Sequence, residues 1–310
     1  MVMSTRDDSS PDKPVIGLAL GSGSARGWAH IGVIQGLEEL GIKPDVVAGT
    51  SIGALVGGAY VSGTLEPFAE WVKTLTVRDV FGLMDISFSG GMVKGEKLFS
   101  FFEKHHENPN MEDIQQRLVT IATDMKSGRE VWISKGPILE AARASCALPG
   151  LFSTVKVKGG WMLDGGLVKP VPVSAARAMG ADVVIAVNLN AQLVGAHMSR
   201  VSRDQATKVT ETEEERTIWN KMMDYFSSED SDEPGFFDVI AASINIMQDR
   251  ITRSRMAGDP SEITLVPMLE DFALMDFHRA EEAIEEGRSL VMSRKEDILA
   301  WVGAPVMDRT

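Results

Sequence analysis

A serine between two glycines, Gly49-Thr50-Ser51-Ile52-Gly53, carries the most specific chemical signal in the sequence. The apolar stretch Asp45-Val46-Val47-Ala48 precedes it, and Ala54-Leu55-Val56-Gly57-Gly58-Ala59-Tyr60-Val61, a small-residue helical pattern, follows. Strand, sharp turn and helix are the context in which G-x-S-x-G presents a nucleophile. Such a turn strains the serine and leaves no room for side chains two residues either side, a need that Gly49 and Gly53 answer. The helix starting beside the hydroxyl offers unpaired N–H groups and a positive dipole end to developing negative charge. A serine hydroxyl is a poor nucleophile until a base takes its proton. Asp164 is the strongest candidate for that base. It follows Trp161, Met162 and Leu163 and precedes Gly165 and Gly166, a setting that partly desolvates a carboxylate and raises its pKa. The same residues also fit an Asx-type turn capping a hairpin.

The second requirement is a set of donors for a tetrahedral oxyanion. Gly21-Ser22-Gly23-Ser24-Ala25-Arg26-Gly27 follows a buried strand at 15–20, at the sheet edge where Ser51 also emerges and where open α/β sheets bind ligands. A turn this poor in side chains exposes backbone N–H groups that could stabilise the oxyanion. Its G-x-G-x-x-x-G spacing departs from a dinucleotide loop, and Ser51 stands where the acidic residue should follow. Arg26 either braces the loop through a carboxylate or faces the substrate, and the spacing does not choose. A Ser-His-Asp triad in chain order needs a histidine after Asp164, and only His197 and His278 qualify. His197 lies in a polar segment, so Ser51-Asp164-His278 is the triad alternative. His30 reads as packed or half-exposed on the helix after the glycine turn. His105 and His106 are adjacent and cannot share a helix face, and no cluster has metal-ligand spacing.

The elements that must hold these residues follow from pattern. At 310 residues and 44% hydrophobic content, the chain can bury a full core as one large domain or as one domain plus an appendage. The opening reads strand, glycine turn, helix (Val33, Leu37 and Leu40 on one face, Gly41 as stop), strand, serine turn, helix. A βαβα start implies a parallel sheet with helices on both faces. Further helices are expected at 65–75, 97–104 and from Pro137 to before Pro149-Gly150. Hairpins are expected at 117–123/129–134 and 154–158/161–163, a helix at 173–179, a strand at 183–187, an amphipathic helix at 236–255, a strand at 263–268 and a closing helix at 278–302. In the amphipathic helix Phe237, Ile240, Ile244, Met247 and Ile251 mark the face expected to pack on the core. The apolar but irregular stretch 81–93 is either ordinary core or the wall of an acyl channel. The expected organisation is a disordered tail at 1–14, a catalytic core at 15–195, an acidic, partly disordered insertion at 196–235 and a segment at 236–310 that completes the same domain.

The net charge of −13 argues against nucleic-acid partners and against long-range attraction to anionic lipid. Cys146 is the single cysteine, which excludes an internal disulfide and fits a reducing compartment. With no apolar h-region at the start and no run long enough for a bilayer, the expectation is a cytoplasmic protein, with peripheral contact at the inner membrane surface left open.

Four blocks together carry a family resemblance. The run Leu18-Ala19-Leu20-Gly21-Ser22-Gly23-Ser24-Ala25-Arg26-Gly27-Trp28-Ala29-His30-Ile31-Gly32 resembles the glycine-rich block of the patatin-like phospholipases. The Ser51 pentapeptide is similar to their nucleophile elbow, and Asp164-Gly165-Gly166 to their D-G-[AG] motif. Ala144-Ser145-Cys146-Ala147-Leu148-Pro149-Gly150-Leu151-Phe152 resembles their A-S-x-x-x-P-x-x-F block. The likeness covers roughly 15–188 and is strongest to the small bacterial RssA-like branch. It implies a three-layer α/β/α fold with a mainly parallel central sheet. It also implies a Ser51–Asp164 dyad without histidine, an oxyanion hole from the amides around Ser22, Gly23 and Ser24 with Arg26 at the family's basic position, and hydrolysis of a phospholipid or other acyl ester through an acyl-enzyme. No metal or cofactor is implied. Ser22 and Ser24 replace glycines of the common G-G-G-x-[KR]-G form, which lowers the loop's φ freedom. A low-turnover lipid-binding or regulatory module is the reading from another class, and the complete dyad argues against it. Oligomeric state is not legible.

Overall fold

The computed structural model describes residues 13–83, 86–87, 92–93, 99, 108–148, 152–192 and 236–303. The first twelve residues of the expected tail, 84–85 and 88–91 of the stretch 81–93, the helix expected at 97–104 (apart from Phe99), His105, His106, His197 and the acidic segment 196–235 lie outside the described residues.

The chain opens with β1 (Ile16–Leu20), α1 (Ala29–Glu39), β2 (Val46–Thr50), α2 (Ile52–Val61), α3 (Leu65–Lys73) and α4 (Val77–Leu83). Two-residue strands β3 (Ile86–Ser87) and β4 (Met92–Val93) pair with each other apart from the main sheet. Then come β5 (Arg117–Asp124), β6 (Glu130–Ile133), α5 (Ile138–Ser145), β7 (Val155–Val157), β8 (Gly160–Asp164), α6 (Val173–Ala178) and β9 (Val183–Val187). The last elements are α7 (Phe236–Gly258), β10 (Ile263–Leu265), α8 (Ala280–Ser293) and α9 (Lys295–Val302).

The main sheet runs β10-β9-β1-β2-β5-β8-β7, with β6 also on β5. The first five strands are mutually parallel, and β6, β7 and β8 add antiparallel pairs. β2 and β9 are buried along their whole length, as continuous apolar runs covered by helices on both faces should be. Alternate residues feed two cores. Leu18, Leu20, Val47, Ile185 and Val187 join the face covered by α1, α2, α5 and α8. Ala19, Val46, Ala48, Val184 and Ala186 join the face covered by α6. The result is a three-layer α/β/α arrangement with a mainly parallel sheet.

β5 brings the chemistry together. It pairs with β2 up to Thr50↔Ile121 and with β8 from Ala122↔Asp164. The C-terminal ends of β2 and β8 thus meet at successive positions on one strand, and Ser51 follows directly from the first.

Three expectations change. The last strand stops at Leu265, not Met268, because its partner β9 ends at Val187, opposite Leu265. The closing helix is two helices broken at Arg294, where the backbone leaves the helical region (φ −105, ψ 14). The break lets Ile298, Leu299 and Val302 turn inward. The face of α7 is also turned from the one expected. Ile244 is buried, but Met247 is 48% exposed and Ile246 51% exposed, while Gln248, Asp249 and Thr252 point inward.

Candidate active site

Ser51 sits between β2 and α2 with φ 56 and ψ −126, a left-handed conformation costly for a residue with a side chain. Its neighbours impose that conformation. A Cβ on Gly49 would lie 2.5 Å from Ala54 Cα, and one on Gly53 would overlap the Leu20 carbonyl. The Ser51 N–H donates to Ser145 Oγ at 2.8 Å, and that hydroxyl donates to the Ile121 carbonyl at 2.5 Å. Ser145, at the end of α5, therefore ties the strained turn to β5.

The Ser51 hydroxyl donates to Asp164 Oδ2 at 2.5 Å. Asp164 is only 1% exposed. Its Oδ1 accepts the Gly166 N–H at 2.6 Å, and its carbonyl accepts from Thr123 Oγ1 at 2.8 Å. Burial pushes the carboxyl up to about 6, against the opposing pull of the Ser51 hydroxyl and the Gly166 amide. One carboxylate oxygen thus closes the Asx-type turn and the other faces the serine hydroxyl. Among the described residues no imidazole hydrogen-bonds Ser51 or Asp164. The Asp164 carboxylate, and no ring, lies against the Ser51 hydroxyl. His278 lies in the turn before α8.

The glycine-rich turn approaches from the end of β1. The Gly21 N–H goes to the Val187 carbonyl at 3.1 Å, Ser22 N–H to Pro170 at 2.8 Å and Ala25 N–H to Leu274 at 3.2 Å. Ser22 therefore has no amide to spare, which corrects its expected place in a donor set. The Gly23 and Ser24 N–H groups have no partner among the described residues. Ser24 holds φ 52, the conformation its glycine counterpart would adopt freely, and its hydroxyl donates to the Leu274 carbonyl at 2.6 Å. Arg26 is buried and braces the loop: Nε donates to the Gly23 carbonyl at 3.2 Å and Nη2 to Asn245 Oδ1 at 3.1 Å. His30, also buried, donates from Nε2 to the Gly21 carbonyl at 2.7 Å. Desolvation holds its pKa down at about 4, so the ring is neutral at pH 7. Gly27 backs onto Ile52, and Gly165 onto the Ile121 carbonyl.

Ser24 and Ser51 open onto a cleft walled by Ile52, Leu55, Cys146, Leu148, Phe152 and Phe277. The wall is apolar, and burial pushes the Cys146 thiol well above its usual range, so it stays neutral. A second apolar hollow lies on the other side of Leu55, against Gly58, Ala59, Ile138, Leu139 and Ala142.

Four residues of this neighbourhood went unrecognised as parts of a site: Ser145, Asn190, Asn245 and Gln248. Ser145 lay in a motif block without a role attached. Asn245 and Gln248 stand three apart on α7, and Gln248 accepts from Ser22 Oγ at 3.0 Å and from Asn190 Nδ2 at 2.8 Å. Among the described residues no group of three or more His, Cys, Asp and Glu could hold a metal ion.

Residues 18–177 match the family described as patatin-like phospholipase. Uncharacterized NTE family proteins of Mycobacterium bovis and Mycobacterium tuberculosis are 32% identical over 329 residues, covering 89% of this chain and 90% of theirs. Lysophospholipase NTE1 of Saccharomyces cerevisiae is 28% identical over 88% of this chain, which spans only 16% of that larger protein.

Proposed function

The chain belongs to the patatin-like phospholipase family, and on that premise we propose that it is a lipid acyl hydrolase working through a Ser51–Asp164 dyad. The observation that carries the reading is the 2.5 Å contact between Ser51 Oγ and Asp164 Oδ2 at a strained turn. Asp164 takes the hydroxyl proton as Oγ attacks the ester carbonyl. A carboxyl raised to about 6 is a stronger base than an ordinary aspartate and is still mostly ionised at neutral pH. The tetrahedral oxyanion is received by the two unengaged N–H groups, Gly23 and Ser24, while Arg26 and His30 hold that loop by its carbonyls. Collapse breaks the ester C–O bond, and the leaving alcohol takes the proton from Asp164. Water then attacks the acyl-enzyme, giving its proton to Asp164, and the fatty acid leaves as Ser51 recovers its hydrogen. The apolar cleft takes the acyl chain. The lysophospholipase relatives favour a phospholipid or lysophospholipid as substrate, met at a membrane surface. Among the described residues no helix is long and apolar enough to cross a membrane.

We read 15–195 and 236–310 as one catalytic domain, a reading supported by the pairing of β10 with β9 and the packing of α8 on α1.

The test is hydrolysis of a p-nitrophenyl ester series by wild type, Ser51→Ala, Asp164→Asn and His278→Ala, with fluorophosphonate labelling of Ser51. Loss of about 10⁴-fold or more in the first two variants with retention in the third is expected. Activity surviving Ser51→Ala would sink the mechanism, and loss in a folded His278→Ala would restore the triad.

A further inference from the structure

Helix α7 spends its residues in an uneconomical way. It leaves Ile246 and Met247 about half exposed and buries Gln248 to 5% exposure. Burying an amide is costly unless its hydrogen bonds are met, and exposing isoleucine forgoes apolar burial. A rule broken twice on one turn of helix points to a task at that position.

The partners of Gln248 identify the task. Its Oε1 accepts from Ser22 Oγ at 3.0 Å and from Asn190 Nδ2 at 2.8 Å, and the same Asn190 amide donates to the Ser22 carbonyl at 3.2 Å. Ser22 is thus held at hydroxyl and carbonyl, immediately before the two unengaged N–H groups. On its other side Gln248 packs against Gly166, whose N–H is bound by the candidate base. A Cβ on Gly166 would meet Gln248 Nε2 and would lie 2.9 Å from Asp164 Oδ1, the oxygen that accepts the Gly166 N–H. One turn earlier, Asn245 receives Arg26, whose Nε holds the Gly23 carbonyl. The Ser22 hydroxyl, absent from the common glycine form of the loop, finds its acceptor here.

We propose that Gln248 is a positioning residue that sets the oxyanion loop in register with Asp164, through Ser22 on one side and Gly166 on the other. It touches neither substrate nor the reacting atoms. This rests on the dyad hydrolase reading and extends it to a helix beyond the residues 18–177 that match the family.

Two variants remove the same hydrogen bond from opposite ends. Gln248→Met keeps length and bulk but deletes the acceptor, and Ser22→Ala deletes the donor from the loop. With p-nitrophenyl butyrate each is expected to lower kcat about ten- to a hundredfold while KM stays within about twofold, because ~1 Å of misplacement costs on the order of 10² in rate and leaves ground-state binding intact. The double variant is expected to be no slower than the slower single. A kcat within about twofold of wild type in folded Gln248→Met, or losses that multiply in the double variant, overturns the proposal. Should Gln248→Met fail to fold, Ser22→Ala decides alone on the same kcat and KM criterion. A wild type that hydrolyses no ester, or a Ser51→Ala that still does, overturns the hydrolase reading and this one with it. Active wild type with an undiminished variant overturns the positioning role only.

Discussion

Replacing Asp164 by asparagine is expected to abolish hydrolysis and stabilise the fold at neutral pH. The buried carboxyl titrates at about 6 in the folded chain against 3.8 for an ordinary aspartate. Each pKa unit is worth ~1.4 kcal/mol, so holding the ionised form in this site costs about 3 kcal/mol at pH 7. The sign follows from the direction of the shift. The folded chain binds this proton more tightly than the unfolded one, so the group's contribution to stability is complete below 3.8 and is lost as pH rises through 6. Asparagine removes the charge and keeps both contacts, since its oxygen can accept the Gly166 N–H and its amide can donate to Ser51 Oγ. His30 acts in the opposite sense. Its pKa falls from 6.5 to about 4, so it withdraws stability as pH drops through that interval. The wild-type pH profile mixes the two opposed titrations, but the difference between wild type and Asp164→Asn cancels the histidine. Urea unfolding of both proteins from pH 4 to 8 is the assay. The variant should be the more stable by about 2–3 kcal/mol at pH 7, with the gap closing as pH falls through 6 toward 4. An asparagine variant no more stable than wild type at pH 7, or an advantage independent of pH, would refute the claim that Asp164 is held as a desolvated anion.

Other outcomes follow from the same geometry. The kcat/KM of wild type should rise with pH through about 6, as the Asp164 carboxyl becomes available as a base, which a pH–rate profile reads directly. Ser145→Ala removes the acceptor of the Ser51 N–H and the donor to the Ile121 carbonyl. It should cost about 2–4 kcal/mol of stability in denaturant unfolding, with reduced fluorophosphonate labelling of Ser51. Leu55 walls both the Ser51 cleft and the hollow against α5, so Leu55→Ala should join them. The ester series should then keep gaining up to about fourfold in kcat/KM per added methylene beyond the chain length at which wild type levels off. An unchanged profile would place the acyl chain elsewhere.

The nucleophile turn, the glycine turn and the Asp-Gly-Gly block were legible because each encodes a local backbone demand: a strained serine between close-packed glycines, exposed amides, a short turn after a strand. Asp164 was legible as the candidate base from its apolar and glycine flanks, but its direct hydrogen bond to Ser51 was not, because the contact depends on β2 and β8 meeting on β5, a register that no local pattern specifies. The amphipathic helix shows the opposite failure. Apolar spacing put Met247 inside, but the inward turn carries Gln248 because its partner, Ser22, lies 226 residues earlier. Ser22 itself was assigned a free amide that Pro170 occupies, a contact made by a distant loop. Arg294 breaks the closing helix without the glycine or proline that would have announced it.

The order of the pieces along the chain has a consequence for how the protein comes into being. Ser51 and its base are 113 residues apart, and Ser22 and its anchor on α7 are 226 apart. Contacts of such sequence separation form late, since long-loop entropy must be overcome before they stabilise anything. During synthesis Ser51 emerges well before Asp164, its proposed base, and the glycine-rich turn waits longer still for the helix that holds Ser22. On the proposed mechanism, a chain assembled in that order becomes active only once its last helices have docked.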